Sequence, residues 1–121
     1  MGTFRVEFEV GNPEGRRFER LQALVDTGAS HIVVPSPLLR SLGVPVRWRW
    51  QFQMADDRVV ERDAGYTLVR LDGRVAPTVV VFGDEGVEAL LGAATLETFS
   101  LAMDPVRRRL VPVPGLLKAA R

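Results

Sequence analysis

The sequence predicts a mainly β, single-domain closed barrel with one or two short helices. Apolar and polar residues alternate along several short stretches, turn signals separate those stretches at close intervals, and only two segments read as helical. The 121 residues suffice for one domain, expected over residues 1–121, with one modest core. With 46% apolar and 26% charged residues, the chain has globular balance and is not disordered.

The elements follow in order. Phe4, Val6, Phe8 and Val10 alternate with Arg5, Glu7 and Glu9, which makes a half-buried strand. "GNPEGR" turns the chain, and Leu21, Ala23 and Val25 resume the alternation up to Asp26. "HIVVP" reads as a short buried strand. Ser36-Pro37 looks like an N-cap followed by N1, with Gly43 stopping a helix over Pro37–Leu42. Val46, Trp48, Trp50, Phe52 and Met54 then share one strand face, and "ADDR" breaks the run, so residues 46–65 form a long hairpin. "LDGR" at 71–74 is an Asp-Gly hairpin turn, and "VVVF" at 79–82 is a buried strand ended by "GDEG". "ALLGAATLETF" gives two leucines, a glycine and a second short helix. "LAMDPVRRRLVPVP" closes with one more hairpin. Many short strands with two short helices argue for a barrel and against a βαβ array.

Composition narrows the chemistry. A net charge of +1 gives no reason to expect a nucleic acid or other polyanionic partner. The absence of cysteine removes disulfides, thiol nucleophiles and cysteine-bound zinc. A triad would have to use His31, the one histidine, and a His-rich metal site is impossible. "MGTFRVEFEV" lacks the apolar core of a signal peptide, and no run approaches the ~18 apolar residues that span a membrane. No membrane association and a cytoplasmic location are the expectation. The 16 basic residues are all arginine except Lys118, a bias with no functional reading.

The stretch "LVDTGAS", Leu24 to Ser30, puts a carboxylate where a buried strand meets its turn. Gly28 permits a tight turn that brings backbone close to the acid. Thr27 can bury its methyl and still donate a hydrogen bond. A carboxylate held this way becomes reactive beside a second one, because two close acids share a proton. One then acts as base toward water while the other donates to a carbonyl oxygen. Asp72, Asp84 and Asp104 do not repeat the apolar-apolar-Asp-Thr-Gly pattern, so one chain supplies one acid. A two-fold dimer would supply the pair as two copies of Asp26.

"LVDTGAS" resembles the active-site motif of retropepsin-like aspartic proteases, the homodimeric group that includes retroviral proteases and single-domain bacterial relatives. "ALLGA", Ala89 to Ala93, is similar to the family's apolar-apolar-Gly segment, which packs beneath the catalytic loop and leads into a helix. The order of elements also agrees over roughly residues 4–113. The resemblance implies a retropepsin-like aspartic endopeptidase with Asp26 as the catalytic carboxylate. Thr27 would lock the two active-site loops across the dimer, and Gly28 would offer backbone to the substrate. It implies a peptide or protein substrate lying extended between the loops and two flap hairpins. Ala29, Ser30, Ile32, Met54, Ala55, Asp56 and Leu90 would touch that substrate, with Val33 a further neighbour. No cofactor and no metal are implied. Ala29 stands where pepsin-like enzymes carry a hydroxyl residue. The missing donor leaves the carboxylate less stabilised, so a mildly acidic optimum is expected.

Two features depart from the family pattern. The flap hairpin has no glycine between Gly43 and Gly65, and its tip falls near Ala55–Arg58, which implies a stiffer flap. Pro112 and Pro114 lie two apart, so both missing N–H groups fall on one strand edge. An interdigitated four-stranded terminal sheet, as in retroviral dimers, needs donors on both sides of an inner strand. A different terminal arrangement is therefore expected, with the Thr27 loops and flaps carrying more of the dimer contact. The stiff flap also favours an alternative function, a dimerisation or peptide-binding module that no longer cleaves.

Other residues read plainly. His31 is a strand residue near the site without a chemical role. Asp56, Asp57, Glu61 and Asp63 fit no calcium loop and belong to a solvated hairpin surface. Arg107, Arg108 and Arg109 are an exposed turn. Trp48 and Trp50 either pack in the core or line a pocket at the flap base.

Overall fold

The first two strands, β1 (Arg5–Gly11) and β2 (Phe18–Val25), form a hairpin in the computed structural model, which describes residues 4–115. Asn12 makes the turn, because its Oδ1 accepts the backbone N–H groups of Arg16 and Arg17 at 2.8 and 3.1 Å. The alternation expected for β1 is present: Phe8 and Val10 are buried while Arg5 and Glu7 are exposed.

The remaining elements are β3 (Ile32–Pro35), α1 (Ser36–Ser41), β4 (Trp48–Gln53), β5 (Val59–Leu71) and β6 (Arg74–Gly83). Then come β7 (Ala89–Leu91), α2 (Ala93–Thr98), β8 (Leu101–Asp104) and β9 (Arg109–Pro112). The large sheet runs β1-β2-β7-β3-β6-β5-β4, and β1 also pairs with β5 at Glu9↔Arg70 and Val10↔Val69. That pairing closes six strands into a barrel and leaves β4 outside, hydrogen-bonded to β5. The predicted mainly β barrel with two short helices is the observed fold.

One continuous core fills the barrel. Val10, Val25, Ile32, Val34, Leu39, Val69, Val80 and Leu91 are each 0% exposed, and Phe99 at 2% plugs one side from the end of α2. Each such side chain contributes about 1.5–3 kcal/mol by leaving water. The buried Thr67 hydroxyl meets its hydrogen-bonding requirement by donating to the Gly11 carbonyl at 2.6 Å.

Turn chemistry sets the registers. Asp72 and Gly73 have φ of +53° and +78°, the pair of positive values that a two-residue hairpin of matching twist needs. The register from Ala64↔Val81 to Leu71↔Arg74 follows. The helix start differs from the expectation. Pro35 occupies the N-cap and Ser36 is the first helical residue, so the helix spans Ser36–Ser41. The Ser36 hydroxyl does not cap; it donates to the Gly83 carbonyl at 2.6 Å, an acceptor presented by β6, which runs parallel to β3. Among the described residues no helix is long and apolar enough to cross a membrane.

Candidate active site

β2 stays in the core through Val25, whose N–H donates to the Phe4 carbonyl at 2.8 Å. The parallel pairing of β2 with β7 runs through Val25↔Leu91, and the Asp26 N–H then donates to the Leu91 carbonyl at 3.0 Å. Asp26 is thus the point where the chain leaves the sheet. Its Oδ1 accepts the Gly28 N–H at 2.9 Å, and its carbonyl accepts the Ala29 N–H at 3.1 Å. The carboxylate is fixed by its own turn and remains partly exposed, with one oxygen outside that bond.

The loop rests on the Leu-Leu-Gly segment, as the family resemblance implied. A Cβ on Gly92 would stand 2.5 Å from the Ser30 carbonyl carbon and 2.7 Å from the Ala29 oxygen, so only glycine lets the two backbones touch. The first N–H groups of α2 then point at the same loop. Ala93 N–H donates to Ala29 O and Ala94 N–H to Ser30 O, both at 2.8 Å. Helix donors that lack intrahelical partners are satisfied by the Asp26 loop, and the loop carbonyls by the helix.

Thr27 and Gly28 are exposed, and the Thr27 hydroxyl has no hydrogen-bond partner among the described residues. Ser30 is exposed and Ala29 partly so. These residues form one rim facing away from the core.

The wall below the rim follows from register. Leu24 lies opposite Leu90, and Leu90 opposite Val33; Val33 lies opposite Val81, and Val81 opposite Ala64. Opposed residues share a sheet face. Since Val25, Ile32 and Leu91 point into the barrel, Leu24, Val33 and Leu90 line its outside on the same side as the Asp26 carboxylate. Leu90 and Val33 are where a substrate neighbour was expected. Ile32 is not: it is 0% exposed in the core, because its side chain has the opposite parity to Val33. Leu24, two residues before the acid and therefore on its face, is the wall residue that sequence reading missed.

The β4–β5 hairpin brings an aromatic strip to this side. Trp48 and Trp50 have ring centroids 4.9 Å apart, Trp50 lies 6.0 Å from His31, and Phe52 and Tyr66 extend the strip at 6.3 Å. The Arg47 guanidinium covers Tyr66 at 5.1 Å. Of the two readings offered for the tryptophans, core packing fails. Neither is in the barrel core, and Trp50 is 44% exposed. They are the hairpin's contact with the segment carrying the acid, and His31 is its receiving surface. The Trp48 Nε1–H is buried without a protein partner.

The opposite face of the hairpin is ionic. Arg49 pairs with Asp63 at 2.8 Å and Glu61 at 3.2 Å, and the hydrogen bonds it donates to these two acids raise the guanidinium pKa. Arg62 lies opposite Trp50, on the aromatic face, and reaches Asp84 beyond β6 at 2.8 Å. Met54, Ala55 and Asp56 lie exposed at the tip. There Asp57 has φ of +70°, and Asp56 pairs with Arg58 at 2.7 Å. Asp104, one of the other acids weighed as a partner for Asp26, caps the β8–β9 turn by accepting the N–H groups of Val106 and Arg107.

A family model described as gag-polyprotein putative aspartyl protease matches residues 17–98. The chain belongs to that family. The matched span runs from the first hairpin through the Asp26 loop, the flap hairpin and α2, so it holds the whole constellation just described. Solved structures show the same fold. The protease of simian foamy virus (mac) is 20% identical, covers 77% of this chain and 91% of its own, and superposes with a TM-score of 0.54. The retroviral protease-like domain of Ddi1 from Leishmania major is 19% identical over 93% and 89% of the two chains, with a TM-score of 0.58. A retropepsin-like aspartic protease from Rickettsia conorii is 19% identical over 85% and 88%, with a TM-score of 0.50. At these identities the likeness is one of fold. No curated protein matches the chain.

Proposed function

We propose that the protein is an aspartic endopeptidase whose active site forms between two copies of the chain, each contributing Asp26. The observation that carries this reading is the locking of a partly exposed carboxylate by Gly28, Gly92 and the first turn of α2 in a chain of the aspartyl protease family. Thr27, Gly28 and Ser30 ring the acid with exposed polar groups, which suits both an opposing loop and an extended peptide.

In the dimer the two carboxylates hold one proton between them. The charged one takes a proton from a water lying between the pair, and the water oxygen attacks the scissile carbonyl. The protonated one donates to the carbonyl oxygen, giving a neutral tetrahedral diol with no covalent bond to the enzyme. Proton transfer to the amide nitrogen then releases the two peptides. Leu24, Val33 and Leu90 offer apolar contact to side chains beside the scissile bond, and Met54, Ala55 and Asp56 close from the hairpin tip. No cofactor takes part. The cytoplasm, where a cysteine-free chain loses nothing to reduction, is the proposed compartment.

Digestion of a peptide library from mildly acidic to neutral pH tests the reading. Wild-type protein should cut, a statine-type mimic of the tetrahedral diol should block it, and Asp26→Asn should not cut. A second reading keeps the dimer and the peptide groove but no chemistry. The cross-braced hairpin favours it, since Arg49, Glu61 and Asp63 tie the two flap strands together. A confirmed dimer that cuts nothing in the library would establish that reading instead.

A further inference from the structure

β1 and β5 close the barrel at only two positions, Glu9↔Arg70 and Val10↔Val69. Beyond Glu9 the strands part, because β5 turns into β6 at Asp72 and Gly73 while β1 runs back to Arg5. The gap is a cleft of about 280 Å³ whose lining includes Glu7, Glu9, Arg20, Arg70 and Asp72. No residue of the Asp26 loop lines it.

Register sorts the charges of this cleft into two rows. Glu9 lies opposite Arg20 on β2 and Arg70 on β5, so one rung carries two guanidinium groups and a single carboxylate on the outer face. Arg70 Nη1 donates to Glu9 Oε1 at 2.9 Å, and the guanidinium lies 4.1 Å from the centroid of the Phe18 ring, which holds it in place. Arg20 has no hydrogen bond or ion pair among the described residues, so the rung keeps cationic capacity. Two residues along β1 stands Glu7, and counting the β1–β5 register onward brings Asp72 to it. Neither carboxylate has a partner among the described residues. Backbone adds a third feature. Val25 N–H donates to Phe4 O and Asn12 N–H to Arg17 O, so the alternation of the ladder bonds Val6, Phe8 and Val10 to β2. Glu7 turns its N–H and C=O the other way, into the cleft, where no strand residue pairs with it.

We propose that this cleft binds a zwitterionic dipeptide. The ligand's carboxylate meets Arg20 and Arg70, its ammonium meets Glu7 and Asp72, and its amide meets the open backbone of Glu7. Length selects this class. Same-face residues on a strand lie about 6.8 Å apart, and a two-residue chain spans about 7 Å. A free amino acid holds its nitrogen and carboxyl carbon about 2.5 Å apart and reaches one row only. A tripeptide, at about 10 Å, overshoots. An open strand edge supplies the main-chain bonds that an extended peptide needs. The site is independent of the proposed cleavage chemistry.

NMR titration of the protein with alanyl-alanine, its N-acetyl and C-amide forms, and free alanine tests it. Alanyl-alanine should shift the Glu7, Asp72 and Gly73 amides and leave the Gly28 amide unmoved. Capping either end should weaken binding about fivefold, the loss of one exposed charge pair. Alanine should bind no better than the capped forms. Arg20→Gln should remove most of the penalty for the C-amide. Asp72→Asn, which keeps a residue tolerant of positive φ, should do the same for the N-acetyl form. Equal binding of capped and uncapped dipeptides would overturn the proposal, as would the absence of any shift at about 10 mM ligand. Shifts centred on Gly28 would assign the dipeptide to the Asp26 site, overturning this cleft and leaving the peptidase reading standing. Should a variant fail to fold, the four probes on wild-type protein decide alone.

Discussion

The Asp26 loop and the β4–β5 hairpin face each other across the candidate site, yet different forces hold them. The loop is fixed by backbone: Leu91, Ala93 and Ala94 bond to it directly, and Gly92 lets the chains touch. Such contacts are short, directional and insensitive to salt. The hairpin has its own backbone ladder but meets the loop segment through side chains, with ring contacts from Trp50 to His31, Trp48 and Phe52 on one face and exposed ion pairs of Arg49 on the other. Exposed ion pairs contribute little and are screened. Under the proposed function, the difference fits a division of labour in which one wall of the site stays fixed and the other admits a peptide.

That contrast can be broken or sharpened by substitution. The largest effect should come from Asp26→Asn. Peptide cleavage should fall by about 10³-fold or more, while thermal unfolding shifts by under about 1 kcal/mol, because the amide oxygen still accepts the Gly28 N–H. Gly92→Ala should come next. Its methyl would stand against the backbone of Ser30 and Ala29, costing about 3 kcal/mol in denaturant titration and displacing the acid. Leu90→Ala should destabilise by about 1–2 kcal/mol and lower kcat/KM, as expected of a wall residue shared between sheet and cleft. In the hairpin, Trp50→Ala should cost about 1 kcal/mol through the lost ring contacts and alter which peptides are cut. A cost as large as that of Gly92→Ala would show that the two walls are equally rigid.

The smallest effect belongs to the surface pair of Arg5 and Glu88, which ties β1 to the segment before β7. The hydrogen bond from Arg5 holds the Glu88 carboxyl below the usual carboxylate range. A lowered carboxylate pKa means that its stabilisation is present above the unfolded pKa and lost as pH falls through the folded one. Melting curves of Glu88→Gln and wild type should coincide in acid. They should separate slightly above about pH 5, and the gap should close in high salt.

Much of this was legible from residues alone. Alternation marked β1 and the hairpin strands, Asp72-Gly73 marked the β5–β6 turn, and the family resemblance of Ala89–Ala93 implied that this segment lies beneath the loop. What escaped depends on partners distant in sequence. "HIVVP" has no alternation, so nothing local decides that Ile32 turns inward and Val33 outward; the parallel pairing with β6 decides it. The aromatic alternation of β4 matches a core strand, but its neighbours place it outside the barrel against His31. Ser36 looked like a cap because its alternative acceptor, the Gly83 carbonyl, lies 47 residues away. Pro112 pairs with Leu101 at the end of β9 while Pro114 lies beyond the strand, so which edge lacks a donor is decided by the register of β8 with β9 and not by the proline spacing.

The central claim is that one active site needs the carboxylates of two chains, and mixing subunits tests it most directly. Wild-type protein is combined with increasing Asp26→Asn protein, with exchange followed through a tag on one of them, and cleavage is read per wild-type chain. The account predicts that this activity falls in proportion to the wild-type fraction, because mixed dimers carry one carboxylate and do not cut. Activity per wild-type chain that stays constant while subunits demonstrably exchange would contradict it.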